Sequence, residues 1–478
     1  MRPQSKLRVL LVPDYLQWIT GEIAKRIAYH NEEWIEATIC SGQVLKDLMD
    51  RCGSFPGEVD LVHFLTEWEA ELLLPRFEGK VSCVITIHHV EDERFVPLLP
   101  RSDATMTACR QWHEYLSKYQ LNSDKLVMVP YGVDTNRFRP PVAGERERLR
   151  AQVGLPPDAY VVGFCAKRSS DSSGRKGIDT LLQAIAEMRR RQPRISILVV
   201  GPGWGDLVEQ MRAEGVPCVQ IPFIIDPDEF ANVYRCLDTY WITSRIEGGP
   251  VPLLEAMASG VCCVTTPVGM AIDIVRDGDN ALIAPIDDAE AFVRLTERLL
   301  SDPDLRRWMG VAARNTIVDG YQWRQTTCRV WPLYQKAIER FRARTGSAPV
   351  LPEPRWGPPR SKCADEPRLA SLPRWAHAWV TARDHFFFTR TLRWMGETRV
   401  ADQMELRAIR WKHFINPVWR KEGYDCSVSN YWWAFNNGMR RSVFVHGLRA
   451  IVWRPWCPGG WRLLVLALVK KIRRREMT

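Results

Sequence analysis

Short apolar runs alternate with segments of helical periodicity over the first 300 residues, and this alternation constrains the fold most. A strand, a helix and a second strand in succession form the unit of a parallel sheet with crossover helices. The runs fall into two sets, separated near residues 140–155 by a charged stretch. We therefore predict an α/β protein with two doubly wound domains facing each other across a cleft. The predicted strands are 7–12, 60–65, 81–88, 104–109, 126–129, 160–166, 195–200, 218–222, 239–243, 262–266 and 281–284.

Length and composition support several domains in a reducing compartment. A chain of 478 residues is too long for one core. The apolar run at 7–12 is too short for a signal peptide and is interrupted by proline, so we interpret it as a first strand. No stretch approaches the ~20 apolar residues of a membrane span. The 13 cysteines include no Cys-x-x-Cys pair, which favours reduced thiols in the cytoplasm over disulfides or a zinc site.

The chain divides into five segments on pattern and composition. We assign 1–150 and 151–330 to the two doubly wound domains. Residues 331–345 are predicted to form a helix. Residues 346–373 are rich in proline and are interpreted as a linker. Residues 374–478 are predicted to form a basic, mainly helical extension that is rich in tryptophan.

Two glutamates in SRIEGGPVPLLEAMASG, residues 244–260, carry the strongest functional signal. Glu247 lies on a glycine-rich loop after the run 239–243, and Glu255 lies about one turn into the helix that follows. Ligands of open α/β sheets bind at this edge, and a helix start favours phosphate. Carboxylates bind hydroxyls, so the pair suits a molecule with hydroxyls at both ends and phosphate between them. A nucleotide-sugar has that layout.

The spacing of the two glutamates resembles the Glu-x7-Glu signature of family 4 glycosyltransferases of the GT-B fold. Further segments are similar to motifs of that family in the same order along the chain. The resemblance implies two Rossmann-like domains, of which 1–150 is the acceptor-side domain and 151–330 the donor-binding domain, and a helix at 331–345 that crosses back to the first domain. It also implies a retaining transfer of a sugar from a nucleotide donor, without a covalent enzyme intermediate. The matching segments are VPYGVDTNRFRP (129–140), GRKGIDTLLQAI (174–185), ILVVGPGWGDL (197–207), GVCCVTTPVGMAIDIVRDGDNALIAP (260–285) and GYQW (320–323).

The resemblance implies a donor site built from cations and carboxylates. Lys176, between glycines at the start of a helix, is expected to contact the diphosphate and to assist catalysis. The family's second cation, an arginine, falls at Lys167, with Arg168 next to it, and the choice between the two stays open. Glu255 is expected to hold the ribose hydroxyls. Glu247 is expected to reach the transferred sugar and to be catalytic.

Several smaller residues complete the predicted donor site. Gly248 and Gly249 would leave room for the sugar. Gly201 and Gly203 would either line the donor or form a tight turn. Phe223 is expected near the base.

The acceptor-side domain contributes two further predicted residues. His88 ends the predicted strand 81–88 and resembles the family's histidine that approaches the donor sugar, so we predict it to be catalytic. Gly21, in the loop after the first strand, would approach the diphosphate. Three Asp-x-Asp pairs fall in turn-rich sequence, so we expect neither a metal nor another cofactor.

The extension 374–478 lies outside the resemblance. It carries 20 Lys and Arg against 7 Asp and Glu, and ten of the 20 tryptophans. The final WRLLVLALVKKIRRRE resembles an interfacial anchor. We therefore expect peripheral binding to the inner face of the cytoplasmic membrane. The alternative is a helical cap on the catalytic body, and nucleic-acid binding is not expected.

These observations predict a retaining glycosyltransferase that moves a hexose from UDP- or GDP-sugar to a glycan or lipid-linked acceptor. Cell-surface polysaccharide or lipopolysaccharide assembly is the expected setting. Two alternatives are a non-catalytic scaffold of the same fold in a polysaccharide assembly complex and a nucleotide-sugar epimerase. An epimerase would convert the donor with no acceptor present.

Overall fold

Two parallel sheets, each covered by helices, build the protein. The computed structural model describes residues 6–346 except 17, 54, 56–57, 120–124, 167, 169–173, 193–194 and 222–226. The predicted linker and basic extension, 346–373 and 374–478, therefore lie outside the described residues apart from Gly346.

The first lobe contains a sheet of six parallel strands within the described residues. The strands are Leu7–Val12 (β1), Ile35–Ile39 (β2), Leu61–Phe64 (β3), Ser82–Ile87 (β4), Ala104–Thr107 (β5) and Leu126–Met128 (β6). The helices are Ile19–His30 (α1), Gly42–Cys52 (α2), Glu67–Phe77 (α3) and Arg110–Ser117 (α4), with a short 3₁₀ helix at Val96–Leu98. The order β2-β1-β3-β4-β5-β6 reverses direction between β1 and β3.

The second lobe repeats the arrangement with another six described strands. These are Tyr160–Cys165 (β7), Ile195–Val200 (β8), Cys218–Ile221 (β9), Thr239–Ile242 (β10), Cys262–Thr265 (β11) and Leu282–Ile283 (β12). The helices are Glu145–Val153 (α5), Ile178–Arg191 (α6), Gly205–Ala213 (α7), Pro227–Arg235 (α8), Val251–Ala258 (α9), Ala271–Ile274 (α10), Ala289–Ser301 (α11) and Pro303–Gly320 (α12). The order β12-β11-β10-β7-β8-β9 places the reversal between β7 and β10, where doubly wound sheets bind ligands.

Buried apolar strands and local capping explain why these elements form. Every residue of β4 and β8 is buried, as expected for strands covered on both faces. Asp288 and Asp302 begin α11 and α12 by accepting hydrogen bonds from Ala291 N and Leu305 N. Pro303 occupies the first position of α12, where its missing N–H costs nothing.

The chain returns to the first lobe after α12. Two helices follow, Trp323–Thr327 (α13) and Val330–Thr345 (α14). Helix α13 contacts α1, and α14 packs against β4 and β5. The hydroxyl of Tyr334 on α14 hydrogen-bonds to Nδ1 of His63 on β3 at 2.9 Å, which ties the returning helix to the buried sheet.

The fold departs from the sequence expectations in two places. Strand β2 was not predicted, because its segment alternates buried and exposed residues at the sheet edge instead of forming an apolar run. The predicted boundary at residue 150 falls inside α5, which contacts α8 of the second lobe. Arg150 of α5 also pairs with Asp238 at 2.6 Å, so this helix lies with the second lobe.

Candidate active site

The candidate site lies where the carboxyl ends of the two sheets meet. The loop after β10 approaches the loop after β4, since a Cβ placed on Gly248 would lie 2.0 Å from the carbonyl oxygen of His88. The indole Nε1 of Trp112 on α4 donates to the Glu247 carbonyl at 2.6 Å. Gln111 accepts from the Gly269 amide at 2.7 Å. Both lobes therefore contribute side chains to one cleft.

Glu247 is a buried carboxylate that is neutralised by cations of its own lobe. Its side chain is 7% exposed, and Oε1 lies 2.5 Å from Lys176 Nζ. Arg175 Nη1 lies 3.5 Å from Oε2, and the Ser244 hydroxyl donates to Oε1 at 2.8 Å. Burial raises the pKa of Glu247, but the charges of Lys176 and Arg175 outweigh it, so the pKa falls below its usual value. The carboxylate is therefore ionised at neutral pH.

The paired glycines after Glu247 permit the close approach of the lobes. At Gly249 a Cβ would lie 2.3 Å from the ring of Tyr131 and 2.8 Å from Met270 Sδ. At Gly248 it would meet the His88 carbonyl. Any larger residue at either position would displace backbone or ring atoms, which explains the glycine pair sterically.

Glu255 lies in the middle of α9 and is partly exposed. The Tyr234 hydroxyl donates to its Oε2 at 2.6 Å. Desolvation raises the pKa of Glu255 to about 8, although the hydrogen bond from Tyr234 opposes the shift. The charge of Glu22 on α1 adds to the increase, and that of Arg137 reduces it.

His88 is held by protein groups at both ring nitrogens. Nε2 lies 2.5 Å from the Leu65 carbonyl, and Nδ1 bonds with the Tyr131 hydroxyl. A carbonyl can only accept, so Nε2 carries the proton and the tyrosine donates to Nδ1. Desolvation lowers the pKa of His88 to about 4 and keeps the ring neutral. Its carbonyl, rather than its ring, faces the loop of Glu247.

The remaining predicted residues fall in different places. Gly21 lies in the first turn of α1, not in a loop, and a Cβ there would meet the Leu16 backbone at 2.3 Å. Arg168 pairs with Asp206 at 2.8 Å beside the start of α7.

Gly201 and Gly203 adopt positive φ angles of 123° and 89° in the turn between β8 and α7. A Cβ on Gly203 would lie 2.3 Å from the carbonyl of Arg168, so this glycine is needed for the turn itself. Lys167 and Phe223 lie outside the described residues.

Arg175 is a site residue that the sequence reasoning missed. Its Nε lies 3.0 Å from Oε1 of Glu91 in the loop after β4, so Arg175 joins the two lobes next to Glu247. Its position between Gly174 and Lys176 is the sequence signal that points to it, because this loop is predicted to contact the diphosphate. Its partner in the other lobe is not evident from local sequence.

The described cysteines form no disulfide. Cys262 and Cys263 are buried in β11, where burial raises both thiol pKa values, that of Cys262 to about 12. None of the described helices combines the length and apolar character needed to cross a bilayer.

Comparisons with known proteins agree with this geometry. The sequence model of the glycosyl transferases group 1 family matches residues 145–316. The D-inositol 3-phosphate glycosyltransferase of Saccharomonospora viridis is 31% identical over 236 residues, covering 47% of this chain and 53% of that protein. The GDP-mannose-dependent alpha-(1-6)-phosphatidylinositol monomannoside mannosyltransferase of Mycolicibacterium smegmatis is 32% identical over 218 residues, 44% of this chain and 56% of that protein. The chain thus spans about half the length of these curated relatives.

Solved structures with the same architecture cover both lobes. Sucrose-phosphate synthase from Thermosynechococcus elongatus superimposes with a TM-score of 0.57 at 17% identity, over 70% of this chain and 100% of that chain. Anabaena HepE, in complex with UDP and glucose, gives a TM-score of 0.57 at 15% identity, over 69% and 99%. The two-lobed GT-B fold that the sequence predicted is confirmed.

Proposed function

Since residues 145–316 belong to the glycosyl transferases group 1 family, we propose that the chain is a retaining hexosyltransferase. It moves a hexose from a UDP- or GDP-sugar to a glycan or lipid-linked acceptor, in the assembly of a cell-surface polysaccharide or lipopolysaccharide. The names of relatives, one GDP-mannose-dependent and others acting on an inositol phosphate, support this class of donor and acceptor.

The contact between Lys176 and Glu247, on the loop that leads into the helix of Glu255, supports the proposal most directly. Glu247 lies on the loop before α9, and Glu255 lies within α9. Lys176 contacts Glu247 directly. His88 lies against the same loop from the other lobe. A ligand beside α9 would thus meet a cation and two carboxyl groups.

The chemistry follows from what these groups do as a sugar–phosphate bond breaks. Negative charge grows on the leaving diphosphate, and a fixed cation such as Lys176 stabilises it; loss of one such donor typically costs about 3–4 kcal/mol. The ionised Glu247 accepts hydrogen bonds from sugar hydroxyls and offsets positive charge on the ring. Glu255 binds the ribose hydroxyls beside Tyr234.

Nucleotide-sugar binding and turnover test the proposal. The purified chain is titrated with UDP- and GDP-hexoses, and nucleotide release is followed with and without acceptor. We expect Glu247→Gln to lose turnover but retain nucleotide binding, and Glu255→Gln to weaken nucleotide binding. Glu33→Gln, at an exposed position of the first lobe, serves as the matched control. Donor conversion without acceptor would instead favour an epimerase, and absence of binding would exclude both.

We propose in addition that residues 374–478 bind an anionic membrane surface. Their excess of Lys and Arg supports this, because each basic residue near such a surface contributes about 1 kcal/mol. Sedimentation with vesicles of phosphatidylglycerol and phosphatidylcholine is compared for the full chain and a chain ending at 373. Equal sedimentation of the two would disprove the role of the extension.

A further inference from the structure

The acceptor-side edge of the cleft is rich in carboxylates. Asp14 follows β1, Glu67 and Glu69 begin α3 directly after β3, and Glu91 and Asp92 follow β4. Strands β1, β3 and β4 are neighbours in the sheet, so their carboxyl ends meet at one edge. We call these five residues the acidic rim. They occupy the side of the cleft opposite the donor lobe, where an acceptor would enter.

The N-termini of the helices at this edge already have carboxylates of the protein beside them. Glu67 and Glu69 occupy the first turn of α3. Asp14 accepts from the Tyr15 amide and the Thr20 hydroxyl just before and within the first turn of α1. The partial positive charge that would attract a phosphate at these helices is therefore offset by the protein's own carboxylates.

Two polar atoms at this edge lie buried with no hydrogen-bond partner among the described residues. One is Oε2 of Glu67 and the other is the hydroxyl of Ser41, a residue that is 1% exposed and precedes α2. The carboxylate of Glu69 lies beside Gly42, directly after Ser41. Buried polar groups rarely stay unpaired. Glu67 can accept from a hydroxyl, and Ser41 can accept or donate, which suits a ligand that carries hydroxyl groups.

The electrostatic environment of Glu67 connects the rim to the reaction centre. Desolvation raises the pKa of Glu67 to about 7, and the charges of Asp92, Asp14 and Glu91 add to the increase. Burial is the main cause of the raised pKa of Tyr131, and the charges of Glu67 and Glu247 add to the increase. Glu67 is thus a member of the acidic rim whose charge, like that of Glu247, acts on Tyr131.

The described cations nearest the rim are already paired. Arg94 Nε lies 2.7 Å from Asp92. Arg175 lies between Glu91 and Glu247. These guanidinium groups balance Asp92 and Glu91. Glu67 and Glu69, with pKa values raised to about 7 by burial, are partly ionised at neutral pH, and the negative charge that they retain disfavours a phosphate group.

An aromatic surface adjoins the same edge. Trp68, next to Glu67 on α3, is 52% exposed, and the guanidinium of Arg94 lies 4.4 Å from its ring centroid. Trp18, at the start of α1, is 46% exposed and lies 4.5 Å from the ring of Tyr15. Indole faces beside carboxylates suit a sugar, which has apolar C–H faces and a hydroxyl-bearing edge.

We propose that the acceptor is an uncharged polyhydroxylated sugar, with Glu67 and Glu69 binding its hydroxyls and Trp68 packing against its ring, and that a phosphorylated acceptor is rejected. This inference rests on the proposed function. It predicts an acceptor for this chain that differs from the inositol phosphate or phosphatidylinositol derivative in the names of its relatives.

Binding of matched acceptor pairs tests the inference. The full chain, saturated with UDP or GDP, is titrated with alkyl glucoside, mannoside and galactoside, with inositol, and with the monophosphate of each. We expect at least one neutral compound to bind at least tenfold more tightly than its phosphate. The double variant Glu67→Gln/Glu69→Gln should reduce that ratio to less than threefold, whereas Glu33→Gln should leave it unchanged.

A second variant separates acceptor binding from folding of α3. Trp68→Ala, at an exposed position, should weaken the neutral sugar severalfold with nucleotide affinity intact. Tighter binding of any phosphate than of its neutral partner would overturn the inference, as would no binding of any neutral compound. In both cases retained nucleotide-sugar binding leaves the proposed function standing, whereas loss of that binding would count against the function itself.

Discussion

Replacing Glu255 with glutamine should stabilise the protein in alkaline solution while weakening its affinity for nucleotide. Desolvation raises the pKa of Glu255 to about 8 in the folded protein, against 4.5 for a free glutamate. Between these values the folded state retains a proton that the unfolded state has released. The free energy of unfolding therefore falls as the pH rises through this interval. Glutamine carries no titrating proton and avoids this loss.

The size of the effect follows from the separation of the two pKa values. About 3.5 pH units at about 1.36 kcal/mol each set an upper limit near 5 kcal/mol. The carboxyl group is partly exposed, so solvent screening reduces the difference, and we expect about 2–4 kcal/mol at ~pH 9. At ~pH 4 both states are protonated and the contribution from titration disappears.

Urea unfolding of both proteins from ~pH 5 to ~pH 9 measures the difference. Glu67 and Glu69 also have pKa values raised to about 7 by burial, but they titrate in both proteins and cancel in the comparison. Glu33→Gln is the control, and its unfolding free energy should depend on pH in the same way as that of the wild type. The same samples report nucleotide affinity, which should fall at least tenfold in the Glu255→Gln variant. Stability curves that stay parallel over the whole range would refute the claim of a desolvated carboxyl group.

Three further substitutions test other parts of the structure. Gly248→Ala places a methyl group 2.0 Å from the carbonyl of His88; kcat/KM should fall at least tenfold, with little change in circular dichroism, and normal turnover would contradict the close approach of the lobes. Arg150→Met removes the 2.6 Å ion pair of the buried Asp238 and leaves it only Arg146 at 3.4 Å and the Val161 amide, which should cost about 3 kcal/mol of unfolding free energy; exposed Arg148→Met should cost little, and equal effects would contradict burial of the pair. Lys176→Met should lower kcat about 10²–10³-fold in a nucleotide-release assay, and an unchanged kcat would remove this lysine from the site.

Most strands and loops could be predicted because apolar runs and glycine-rich turns are visible in the local sequence. The run Ile195–Val200 is apolar except for Ser196 and forms β8, and Glu247 lies on the glycine-rich loop after β10 as expected. Strand β2 carries no such run, since Glu36 interrupts it and only one edge of the strand is paired. Gly21 is expected in the loop after the first strand, by resemblance to a glycine loop of the family, yet it lies inside α1, where close contact with Leu16 leaves no room for a Cβ.

The contacts across the cleft could not be predicted from local sequence. His88 is predicted from its position at a strand end and from the family resemblance, but the bond from Tyr131 that engages its Nδ1 joins residues 43 positions apart. Arg175 and Glu91 belong to different lobes, and their meeting depends on how the two sheets are oriented. Such pairs depend on tertiary packing that neither spacing nor composition encodes.

The contacts that join the lobes differ in strength on the two sides of Glu247. On one side the buried Trp112 indole donates to the Glu247 carbonyl, and leaving that carbonyl unpaired would cost about 1–3 kcal/mol. On the other side Arg175 pairs with Glu91, whose side chain is 47% exposed, and exposed pairs contribute about 0–1 kcal/mol. Separation of the lobes therefore costs less free energy at Glu91 than at Trp112. Because Glu91 belongs to the acidic rim, the side of the cleft that opens more readily is the side that we assign to the acceptor.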